Sequence, residues 1–83
     1  MNKNEQKSLA AKLLRITETE VEENSGFIDD IEALFISVPT KDGKSMLVGK
    51  DGTVLFGNSA WSFSMLLKAF KNGERTPLDF FKV

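Results

Sequence analysis

Three short stretches carry residue types that could do chemistry. Gly57-Asn58-Ser59-Ala60-Trp61 sets a serine at a strand-to-helix turn, Gly43-Lys44-Ser45 ends like a phosphate-cradling loop, and Asp29-Asp30-Glu32 gathers acids as a cation site would. Each fails on its own terms. A serine nucleophile needs a base to take its proton, and the chain has no histidine and no cysteine. The second glycine of a G-x-S-x-G turn is replaced by Trp61. Asn58 or Ser59 is therefore expected as a helix cap. A phosphate loop wants a further glycine five residues before Gly43, where Val38 stands, and a helix after its serine, where a strand is expected here. The acids have neither the spacing nor the central glycine of a calcium loop. Lack of histidine and cysteine also removes ordinary zinc sites, thiol chemistry, disulfides and histidine pH switching. The expectation is a chain that is not an enzyme, with no catalytic, cofactor-binding or metal-ligating residues and no cofactor.

What remains is surface chemistry. The net charge of −1 hides an asymmetry: residues 1–40 hold eight acids and four bases, residues 41–83 four acids and seven bases. No base lies between Arg15 and Lys41, while Glu18, Glu20, Glu22, Glu23, Asp29, Asp30 and Glu32 make that span a candidate acidic patch. Such a patch repels phosphate and suits a basic partner. No run approaches the roughly 20 apolar residues of a membrane span, and charges throughout the first thirty residues argue against a signal peptide. A cytoplasmic protein without a membrane partner is expected.

The elements that must position these groups are few. The 83 residues suit one small domain, near the size at which a single core barely offsets chain entropy, so a partner subunit is a natural source of extra stability. Leu9, Leu13, Leu14, Ile16 and Val21 recur at helical spacing and predict a first helix over 5–23, capped by Asn2 or Asn4 and ended by Asn24-Ser25-Gly26. Its acids at 18, 20, 22 and 23 would then fall in the last turns, where the helix dipole favours cations. Phe27 and Ile28 are expected to anchor the approach to a first strand, Ile31–Val38, which Pro39 ends; Thr40-Lys41-Asp42-Gly43 supplies a turn. Asp51-Gly52 predicts a two-residue turn in a hairpin over 44–57, pairing Lys50 with Thr53, Val48 with Leu55 and Leu47 with Phe56. A second helix is expected over 60–72, with Phe63, Leu66, Leu67 and Phe70 as its core stripe and Asn72-Gly73 at its end.

The predicted fold is thus α+β: a two-layer α-β-β-β-α domain, a three-stranded antiparallel sheet with two helices on one face. Alternation puts Leu34, Ile36 and Val38 opposite Ile31, Ala33 and Phe35. It also puts Met46, Val48 and Leu55 opposite Leu47, Val54 and Phe56. Both sheet faces are apolar, so something beyond one helical layer must cover the second. The tail 77–83 is unusually apolar and is expected to dock, as cover, edge strand or hook onto a second subunit. Trp61, Met65, Leu78, Phe80 and Phe81 are the candidate interface residues.

The order helix, three strands, helix resembles the layout of a double-stranded-RNA-binding domain. That resemblance implies duplex RNA as a partner and lysines at the start of the second helix. Asn58 to Leu67 contains no base, and Lys41, Lys44 and Lys50 are a thin substitute, so nucleic acid is not the expected partner. The leading expectation is a protein-interaction module, a homodimer formed through the second sheet face or the tail. The alternative is a small acidic inhibitor or immunity-type protein that presents residues 18–32 to a basic partner. An adaptor resembling the duplex-RNA-binding domain ranks third.

Overall fold

The computed structural model describes residues 1–38, 43–58 and 60–81. Its first element, α1 (Lys3–Leu14), opens on a capping box: Asn2 Oδ1 accepts from the Glu5 amide at 2.8 Å and Glu5 returns a carboxylate to the Asn2 amide at 3.0 Å. The predicted single helix over 5–23 is two helices. Arg15 takes a left-handed conformation, φ 57°, and Thr17 starts a second capping box with Glu20 that opens α2 (Glu18–Asn24). Glu18 and Glu20 therefore stand in a first turn, where the dipole favours them, and not in a last turn.

Among the described residues the sheet has four antiparallel strands in sequential order, one more than predicted. The added strand is β1 (Ser25–Ile28), which leaves α2 without a turn and pairs Phe27 with Leu34 of β2 (Ala33–Ser37). Between them, Asp29–Ile31 forms a 3₁₀ turn closed by Glu32 at φ 50°. β3 (Ser45–Val48) pairs with β2 and with β4 (Val54–Gly57). Residues 40–42 of the turn expected at Thr40-Lys41-Asp42-Gly43, and the cap role of Ser59, lie outside the described residues.

The hairpin register differs from the prediction by one residue. Leu47 faces Leu55 and Val48 faces Val54, because the Gly49 amide donates to the Thr53 carbonyl at 2.8 Å and closes a three-residue loop. Within it the Gly52 amide reaches the Gly49 carbonyl at 3.1 Å and Gly52 adopts φ 84°, the turn-plus-bulge alternative to a two-residue turn. A one-residue slip exchanges faces. Val54 and Phe56 consequently join Met46 and Val48, and Leu55 joins Leu47.

Helices cover both sheet faces, which corrects the two-layer expectation. One face, with Leu34, Ile36, Met46, Val48 and Val54, packs on Ala10 and Ala11 of α1 and Val21 of α2. The other, with Ala33, Leu47 and Leu55, packs on Leu66, Ala69 and Phe70 of α3 (Phe63–Lys71). The second helix thus starts at 63, with the Ser62 hydroxyl accepting from the Met65 amide at 3.2 Å, not at 60 with Asn58 as cap. Fully burying Leu66 and Phe70 contributes about 1.5–3 kcal/mol each. The observed order, two helices, four strands and a helix, departs from the expected order of helix, three strands, helix. No helix among the described residues is long and apolar enough to cross a membrane.

Candidate functional site

The predicted interface residues separate into two groups on opposite sides of the sheet. Trp61 is half-buried against the α3 cluster, and Met65 is 54% exposed on the outer side of that helix. Phe63, predicted as core, is 45% exposed and meets Phe35 edge-on at 4.8 Å. The tail lies on the other side. Leu78–Phe81 forms a 3₁₀ turn whose Phe81 packs against the α1-side core. Phe80 and Phe81 stand 5.5 and 5.7 Å from the Phe56 ring and 5.3 Å from each other. Leu78 and Phe80 nonetheless remain 52% and 61% exposed.

Beside this aromatic cluster lies a depression of about 300 Å³, lined by Leu13, Leu14, Arg15, Val38, Lys44 and the three phenylalanines. The tail's approach is fixed just upstream. The Thr76 amide donates to the Val54 carbonyl at 2.7 Å and its hydroxyl accepts from the Phe56 amide at 2.9 Å, which closes the outer edge of β4. The tail is therefore neither the cover of the second face, which α3 provides, nor a full edge strand. Lys82 and Val83 lie outside the described residues.

The seven acids are divided in role. Glu22 pairs with Lys7 at 2.7 Å and Glu18 accepts from the Ser8 hydroxyl at 2.8 Å, so both tie α2 to α1. Glu20 serves the Thr17 cap, and Glu32 pairs with Lys50. That pairing, first through the hydrogen bond and then through charge, raises the Lys50 ammonium above its ordinary value. Glu23, Asp29 and Asp30 are exposed and form no ion pair with any described residue. They bracket β1, whose Gly26 is exposed with no described atom within 4 Å of where a Cβ would stand. Two depressions, of about 510 and 230 Å³, meet at Phe27 of that strand. Among the described residues no three acids gather where they could hold a metal ion.

Two polar residues escaped the sequence reading. Gln6 is 1% exposed and donates to the Glu32 carbonyl at 3.0 Å and the Val48 carbonyl at 2.9 Å, joining α1 to the sheet. Arg75 lies 3.6 Å over the Phe70 ring, donates to the Phe70 carbonyl at 2.9 Å and reaches the Thr53 hydroxyl at 2.8 Å. The one signal for Gln6 was its place on the apolar face of α1, three residues before Leu9. Comparison with protein families, with curated proteins and with solved structures found no match to this chain.

Proposed function

We propose that the chain is a non-enzymatic, cytoplasmic protein-interaction module that self-associates through its C-terminal turn. The observation that carries this reading is the exposure of Leu78 and Phe80, 52% and 61%, above the Phe56–Phe81 cluster and next to an apolar-walled depression. Large apolar side chains clustered at a surface mark contact sites more strongly than scattered ones do. A two-fold arrangement lets Phe80 of each copy enter the depression of the other, the self-complementary geometry of most homodimers. The second sheet face plays no part, because α3 covers it.

Sedimentation at micromolar concentration tests the reading. A concentration-dependent dimer that Phe80→Ser converts to monomer is expected, with a thermal midpoint that rises with protein concentration only in the unsubstituted chain. A clean monomer with a concentration-independent midpoint would overturn it. The acidic-partner reading draws support from a different observation, Glu23, Asp29 and Asp30 around β1, which pair with no described residue.

A further inference from the structure

The two edges of the sheet are treated differently. At β4 the chain closes its own edge with Thr76, through the bonds to Val54 and Phe56. At β1 no hydrogen bond from a described residue reaches the outer side. Backbone groups alternate in direction along a strand, so an antiparallel edge of this kind offers amides and carbonyls ready to pair. Neither proline, lysine nor a bulge blunts Ser25-Gly26-Phe27-Ile28. The exposed Gly26 leaves room for another backbone to approach.

We propose that the outer edge of β1 takes an extended, basic segment of a partner protein as a further strand. Charge selects this occupant. The bases near the strand are engaged: Lys3 stands 4.5 Å over the Phe27 ring, Lys7 holds Glu22 and Lys50 holds Glu32. Glu23, Asp29 and Asp30 carry no such partner among the described residues and sit at both ends of the open edge. A second copy is disfavoured by the same charges. Antiparallel pairing of two β1 strands, Ser25 against Ile28, would set Asp30 of each copy against Glu23 of the other. Lysines or arginines flanking an incoming strand meet opposite charges instead, which speeds encounter and fixes register. Main-chain pairing supplies affinity in such additions, and the two depressions meeting at Phe27 can receive alternate side chains. This surface is separate from the C-terminal turn.

The test titrates the isotope-labelled chain with the peptide Lys-Val-Lys-Thr-Lys-Val-Lys, alongside a twin with glutamate at each lysine and a twin N-methylated along both edges. The lysine peptide is expected to shift the Ser25–Ile28 amides and slow exchange of those facing outward. Affinity should fall about tenfold in a Glu23→Gln/Asp29→Asn/Asp30→Asn variant that keeps its far-ultraviolet spectrum, and fall with added salt. Neither twin should bind. Equal binding of the N-methylated twin would reduce the interaction to charge attraction and overturn strand addition. No binding, or shifts centred away from β1, overturns the proposal as well. Protection of β1 amides that rises with protein concentration alone would make a second copy the occupant. Running Phe80→Ser in parallel keeps this outcome apart from the fate of the C-terminal dimer.

Discussion

Gln6 shows how much one buried polar side chain can hold together. Its amide nitrogen serves two carbonyls, Glu32 at the left-handed turn before β2 and Val48 at the end of β3. Gln6→Leu keeps most of the volume but strands those carbonyls beneath α1. The expected loss is about 1–3 kcal/mol, seen as a lower denaturant midpoint with an unchanged slope. An unaltered midpoint would mean the carbonyls find other donors. Asp51 makes a pH-dependent contribution. The Thr53 hydroxyl, at 2.6 Å, and then the Thr53 amide hold its carboxyl below the ordinary value of 3.8. A lowered folded-state value means the stabilisation is complete above 3.8 and disappears as pH falls through the lower value. Asp51→Asn should therefore be less stable than the unsubstituted chain at neutral pH, and the gap should close in acid. A gap that stays constant with pH would assign the effect to the turn's shape alone.

At the scale of elements, what was legible followed local signals and what was missed depended on tertiary context. Asn2 as a cap, the alternation in residues 33–37 and the turn at Asp51-Gly52 were readable because each depends on near neighbours. Thr17-Glu18-Thr19-Glu20 also carried a readable signal, a capping box, but the apolar run from Leu9 to Val21 masked it by keeping helical spacing across the break. β1 was hidden for the opposite reason. Four residues beginning Ser-Gly have little strand preference of their own, and the pairing with β2 supplies it. The hairpin slipped because Asp-Gly fits two loop lengths, and only the Gly49–Thr53 bond distinguishes them. The candidate site was partly legible: Leu78, Phe80 and Met65 stand out by residue type as candidate interface residues, but their exposure does not follow from a tail expected to dock or from the helical stripe beside Met65, and the division of the acids required the position of α1. Gly57 shows how closely the layers meet. A Cβ there would stand 3.0 Å from Leu66 Cδ1 and 3.0 Å from Trp61 Cβ. Gly57→Ala is expected to cost about 1–3 kcal/mol and to shift Trp61 fluorescence. A neutral substitution with unchanged emission would show that α3 can move away at no cost.

Across the whole molecule, the sheet is the shared wall of two cores. Neighbouring residues on one strand, such as Met46 and Leu47, belong to opposite sides of it. Loss of either helical layer exposes a face that the other cannot cover. A chain stopped after Asn58 should keep α1, α2 and the sheet residues yet bind a hydrophobic dye and aggregate, whereas the full chain should do neither. A soluble, dye-silent product would show that α3 is dispensable.

The position of α3 also has a consequence for biosynthesis. Residues 1–57 emerge first and contain β1 to β4 and the first helical layer, so the meander can form while Ala33, Phe35, Leu47 and Leu55 still face water. Until residues 63–71 leave the ribosome, the nascent chain carries an adhesive surface. The delay between the emergence of β4 and that of α3 would then set how long this surface stays open to other nascent chains.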